Sequence, residues 1–104
     1  MHATVRRYEG VDESRTDELV KKVDESLMPR MSQLPGFEGY YLIEAGNGVM
    51  SSIGIFETST QADESTRVAS EWVRDEKLEN ILQNPPKVTD GEVIVHKTMN
   101  GIKA

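Results

Sequence analysis

Phe37-Glu38-Gly39-Tyr40-Tyr41-Leu42-Ile43-Glu44-Ala45, then Gly46-Asn47-Gly48, then Val49-Met50-Ser51-Ser52-Ile53-Gly54-Ile55-Phe56-Glu57 is the stretch on which the fold turns. Both flanks are rich in β-branched and aromatic residues. Asn-Gly between such runs is a strong hairpin signal, because both residues tolerate the positive φ of a two-residue loop that matches the twist of its strands. The stretch predicts two antiparallel neighbouring strands, 37–45 and 49–57. Leu34-Pro35-Gly36 leads in as a turn, Pro35 presetting φ and Gly36 accepting a positive one.

Upstream of the hairpin the period changes. Leu19, Val23, Leu27, Met31 and Leu34 recur at helical spacing, with Asp17, Glu18, Lys21, Lys22 and Glu25 on the other side, so Asp12–Leu34 reads as an amphipathic helix. Asp12 or Ser14 caps its start, Ser14 and Asp17 standing at capping-box spacing. Pro29 lacks the N–H that would reach Glu25, which predicts a break near residue 28. His2–Glu9 reads as a first strand. Downstream, Ser59 or Thr60 opens a second helix, with Thr60 and Asp63 as a capping box. Ala62, Ser65, Ala69, Trp72 and Val73 face inward, and a further helical turn over 76–83 ends at Pro85-Pro86. Val88–Met99 reads as the last strand and Asn100–Ala104 as a tail.

Strand, helix, strand, strand, helix, strand is the split βαβ order, so the fold class is α+β: a ferredoxin-like βαββαβ domain with a four-stranded antiparallel sheet. No linker or low-complexity stretch divides residues 1–104, which form one domain. Two helices, each about 10 Å across, cover one face of four strands spaced about 4.8 Å apart and not both. Yet the strands carry apolar residues on both parities: Phe37, Tyr41 and Ile43 against Tyr40 and Leu42, Ile53 and Ile55 against Met50 and Phe56. A sheet with one wet face alternates cleanly, so the second face is also covered, and a second copy of the chain is the available cover. A homodimer packed sheet to sheet is expected.

The composition removes many functions. The net charge is −6 with scattered Lys and Arg, which disfavours nucleic acid and anionic membranes as partners. There is no cysteine, so disulfides, thiolate metal sites and cysteine nucleophiles are excluded. The sequence shows neither a signal-peptide pattern nor an apolar run of membrane-spanning length, and a cytoplasmic location is expected. The two histidines, His2 and His96, fall on strands expected to be neighbours, but no third ligand accompanies them, so no metal site is expected. No nucleotide fingerprint is present, and no cofactor is expected.

The element order, the Leu34-Pro35-Gly36-Phe37 turn after a helix ending in Leu27-Met28-Pro29, and the Phe56-Glu57 strand end leading into the Trp72 helix resemble the dimeric α/β barrel superfamily. More narrowly, the chain looks like the uncharacterised branch of its antibiotic biosynthesis monooxygenase group. The resemblance covers about 2–97. It implies a dimer around a pocket, with activities in the superfamily that run from cofactor-free oxygenation of polyketide-like quinols to haem degradation and isomerisation. Haem degradation is disfavoured, since residues 59–83 hold no histidine to serve as iron ligand. The oxygenases use Asn, Trp, Tyr and Arg side chains, types that Trp72, Tyr8, Tyr40, Tyr41, Arg6 and Arg7 match.

The candidate catalytic residues are therefore His96, Arg6, Tyr41 and Trp72. His96 suits a general base by its residue type. Arg6 and Arg7 point to opposite faces of the first strand, and a buried guanidinium needs a carboxylate or a ligand anion. Tyr41 offers a hydroxyl to an enol, and Trp72 lies on the apolar stripe of the second helix. Each has a plain structural alternative: strand packing for His96 and Tyr41, an edge salt bridge for the arginines, core for Trp72. The expected function is binding of a small apolar or aromatic molecule, as a cofactor-independent monooxygenase-like enzyme. The alternative is a non-catalytic ligand-binding protein or a structural, stress-type dimer.

Overall fold

The computed structural model describes residues 1–98, and the strand end at Met99 and the tail Asn100–Ala104 lie outside them. Four strands, β1 (His2–Tyr8), β2 (Phe37–Gly46), β3 (Val49–Phe56) and β4 (Lys87–Glu92), form one antiparallel sheet in the order β2-β3-β1-β4. That order and the intervening helices are the ferredoxin-like arrangement. No helix among the described residues is long and apolar enough to cross a membrane.

Asn47 and Gly48 make the β2–β3 turn with φ of 55° and 73°, and the Gly46–Val49 pair closes the loop. Two positive φ values in a two-residue loop are the type I′ geometry that the Asn-Gly pair predicts. The turn is also docked: Val11 N–H donates to the Gly48 carbonyl at 2.9 Å, and a Cβ on Gly48 would press on Val11.

The first helical run departs from its expected break. A 3₁₀ turn (Glu13–Arg15) leads into α1 (Thr16–Lys22), a π-helical turn (Val23–Leu27) and α2 (Met28–Ser32) without interruption. The reason is in the spacing. Core residues Leu19, Val23, Leu27 and Met31 repeat every four residues, which on a 3.6-residue helix drifts about 40° per step. A wider π turn cancels that drift, and Met28 N–H reaches back five residues to Val23. Pro29 then falls in the first turn of α2, where its missing N–H is tolerated. At the start, the Asp12 carboxylate accepts from the Ser14 amide at 3.1 Å, while the Ser14–Asp17 box does not form.

The second helix, α3 (Ser59–Asp75), is capped by Thr58, with Gln61 in the box, in place of the expected Thr60 and Asp63. Thr58 accepts from Gln61 N–H at 3.2 Å and the Gln61 carboxamide accepts from Thr58 N–H at 3.1 Å. Residues 76–83 are turns rather than helix. Lys77 takes φ 58°, its N–H donates to Arg74, and Leu78 N–H donates to Val73 at 2.9 Å, which together form a Schellman stop. Leu78 and Ile81 are buried by this reversal.

The helices cover one face only. Phe56, fully buried, packs edge-on against Phe37 with ring centroids 5.7 Å apart, and Met31, Met50, Ala62 and Trp72 complete the layer. On the other face Val5, Ile53 and Tyr41 lie in one rank across the sheet, beside Ala3, Ile55 and Ile43, with Tyr41 63% exposed. The last strand stops at Glu92, short of the expected Met99. Pairing with β1 ends at His2–Glu92, Val93 N–H closes on the Met1 carbonyl, and Ile94 and Val95 are 89% and 83% exposed. Lys77 carries a side chain in a left-handed conformation that glycine adopts freely, so Lys77→Gly is expected to stabilise the protein by roughly 1 kcal/mol, read as a raised urea midpoint at unchanged slope.

Candidate functional site

Alternation along β1 places Thr4, Arg6 and Tyr8 on the helix side, and pairing puts Val88, Arg6, Ser52 and Leu42 in one rank across the sheet. Arg6 is 1% exposed. Its Nη1 donates to Thr66 Oγ1 of α3 at 3.2 Å, and its Nε has no partner in the protein. The neighbouring hydroxyls of Thr4 and Ser52 are buried and unpartnered as well. Among the described residues no carboxylate forms an ion pair with Arg6. Arg7, on the open face, instead pairs with Glu9 at 2.9 Å. The salt-bridge alternative is thus met by one arginine and not by the other.

Arg6 and Tyr8 form the floor of a cleft of about 480 Å³ between β1, β4 and α3. Thr66, Ser70 and Val73 of α3 form one wall, and Pro85, Pro86 and Val88 form the other. The second wall is tied down: Asn84 Nδ2 donates to the Glu9 carbonyl at 2.9 Å, Val11 bridges Leu82, and Asp12 N–H reaches Ile81. Behind the floor is a void of about 30 Å³, also bordered by Arg6 and Tyr8, and by Ser52, Tyr40, Met50 and Trp72. Burial pushes the Tyr8 phenol above its ordinary pKa, and the Arg6 guanidinium pulls it part of the way back. Tyr8 therefore stays protonated at neutral pH, a neutral hydroxyl beside a buried cation.

The candidates read from sequence are divided by this geometry. Arg6 and Trp72 come together around the inner void. Trp72 is buried and its indole N–H is already used: it donates to Ser26 Oγ at 2.9 Å, Ser26 donates to Glu76 at 3.2 Å, and Lys22 pairs with the same carboxylate at 3.2 Å. Tyr41 is on the opposite face of the sheet, ranked with Ile53 and Val5. His96 is exposed, four residues past the last pair of β4, so it does not sit on a paired strand beside His2. Glu38, Glu44 and Glu92 are exposed strand carboxylates. Thr66, Ser70 and Asn84 belong to the site and escape sequence reading. The one signal for the first two is their four-residue spacing beside the Ala62–Ala69 stripe, which gives that helix face short hydroxyls.

The Trp72–Ser26–Glu76–Lys22 chain gives a pH prediction. Lys22, then Ser26, holds the Glu76 carboxyl below its ordinary value. A depressed folded pKa contributes stability above the unfolded value and loses it as pH falls through the folded one. Glu76→Gln is therefore expected to lower the urea midpoint at pH 7, and that difference is expected to close as the pH is taken below about 4, the ordinary carboxylate range. Trp72 emission reports both transitions.

No family model matches the chain, and no curated protein matches it. Solved structures do. A protein of unknown function from Nitrosomonas europaea, NE2512, superposes with a TM-score of 0.73 at 16% identity, covering 96% of this chain and 95% of its own. A putative antibiotic biosynthesis monooxygenase from Bordetella bronchiseptica gives 0.71 at 14% identity over 90% and 97%. A monooxygenase from the gene ActVA-Orf6 of Streptomyces coelicolor, solved with nanaomycin D, gives 0.70 at 16% identity over 95% and 92%. The chain shares the fold of these structures, one of them a putative antibiotic biosynthesis monooxygenase, and that fold agrees with the resemblance read from the sequence.

Proposed function

We propose that the cleft binds a small planar, largely apolar molecule through one anionic oxygen, an enolate, phenolate or carboxylate set against Arg6 and Tyr8. The observation that carries this is a guanidinium 1% exposed with no carboxylate partner among the described residues. A buried ion without a counter-charge costs several kcal/mol, and an arriving anion offsets that cost while accepting charge-assisted hydrogen bonds. The cleft of about 480 Å³ lies within the range of small-molecule sites, and Val73, Leu82, Pro85, Pro86 and Val88 suit an apolar body.

The chemistry this supports is a cofactor-independent oxygenation of the monooxygenase-like kind, in which an electron-rich enolate reacts with dioxygen while Arg6 and Tyr8 stabilise the developing oxyanion. A fold shared with a monooxygenase that was solved holding nanaomycin D is consistent with it. The cleft has one carboxylate on its border, Glu79, which is exposed, and neither His96 nor His2 lines it. The deep end has no base, so the reading favours molecules acidic enough to arrive ionised. The same feature favours a second reading, a binder that holds such an anion without converting it. The open apolar face of Val5, Ile53, Ile55 and Tyr41 is given to a second copy of the chain, as a sheet-to-sheet homodimer.

Titration calorimetry with hydroxynaphthoquinone, a planar enolate at neutral pH, tests the site. Wild type is expected to bind. Arg6→Met is expected to weaken binding by roughly 10- to 100-fold while folding at least as stably, because an apolar side chain replaces an unpaired buried charge. Equal binding by the two proteins would overturn the assignment. For the dimer, native mass spectrometry is expected to show two copies for wild type and one for Ile53→Glu; a wild-type monomer at micromolar concentration would remove that proposal.

A further inference from the structure

Resting on the anion-binding reading above, we infer that the cleft is built for a two-ended ligand: one acid buried against Arg6, an apolar body, and a second acid at the mouth against Arg74. Arg74 borders the same cleft, is exposed, and makes no ion pair among the described residues. Other arginines at this helix behave differently, since Arg67 on α3 is held by Glu64 and Glu71, and Arg30 on α2 pairs with Asp75 of α3. An exposed arginine in a chain of net charge −6, with Glu71, Asp75 and Glu76 near it in sequence, makes no ion pair among the described residues where it borders the cleft.

Helix geometry sets the span. Thr66, which accepts from Arg6, and Arg74 stand eight residues apart on α3, about 12 Å along the axis. Between them the wall is Ser70 and Val73, and the facing wall is Pro85, Pro86 and Val88. A single ring with one acid leaves the outer half of this cleft unfilled, whereas a fused two- or three-ring body reaches from one guanidinium to the other. Glu79 also borders the cleft, is exposed and makes no ion pair among the described residues. It opposes a second negative group, so the affinity of a diacid is set by Arg74 against Glu79, and the cleft as a whole carries two cations to one carboxylate.

Calorimetry compares naphthoate, with one acid, and the naphthalene dicarboxylate whose acids sit at opposite ends of the rings. Wild type is expected to bind the diacid about tenfold more tightly, the gain from one added charge-assisted contact. Arg74→Gln is expected to bring the diacid's advantage over naphthoate down to about onefold, and Glu79→Gln to enlarge it; both positions are exposed, so neither variant disturbs the core. A diacid that binds no better than naphthoate, or an advantage that survives Arg74→Gln, overturns the two-ended ligand while leaving the Arg6 site standing. Failure of both probes, together with hydroxynaphthoquinone, overturns both.

Discussion

Two helices on a four-stranded sheet can dry only one of its faces, and the rest of this structure answers to that constraint. The covered face must accept whatever β1 directs into it, and β1 directs an arginine between a threonine and a tyrosine. A core position filled by a guanidinium is unfavourable unless its donors are used. Here one donor meets the Thr66 hydroxyl, and the remainder lie between an inner void and an outer cleft. The charge that the fold leaves unpaired is the charge available to a ligand.

The surroundings of Arg6 are rigid for reasons that have little to do with it. The π turn keeps the four-residue repeat of Leu19, Val23, Leu27 and Met31 against the sheet, and it carries Ser26 to the indole of Trp72. Trp72 in turn fixes the rotation of α3, from which Thr66, Ser70 and Arg74 line the cleft. On the other side the Schellman stop at Lys77 turns the chain back, buries Leu78 and Ile81, and leads into 82–86, which are tied to Glu9 and Val11 and run into β4 as the second wall. Interactions that stabilise the core therefore also set the width of the site.

The uncovered face has the opposite character. Beyond the Arg7–Glu9 pair it carries Ala3, Val5, Tyr41, Ile43, Ile53 and Ile55 in ranks, and Ile94 and Val95, past the end of β4, are exposed. Patches of this kind mark association surfaces in soluble proteins. Tyr41, a site candidate by residue type, stands on this surface and not in the cleft, because a strand's two parities face opposite ways and Tyr40 holds the inner one.

Hydrophobic period and turn chemistry are local properties, so they determined the element order, the Asn47-Gly48 hairpin, the amphipathic helices and the presence of an arginine on each face of β1. The four-residue repeat before Pro29 even carries the sign of the π turn. Where the last strand ends was not local: β4 stops where pairing with β1 stops, although Val93-Ile94-Val95 continues to look like strand. Nor was the site. Whether a histidine reaches a cleft and which helix hydroxyls line it depend on residues far apart in the chain meeting across a layer, as Arg6 and Thr66 do. Those meetings are set by packing, and only the tertiary structure decided them.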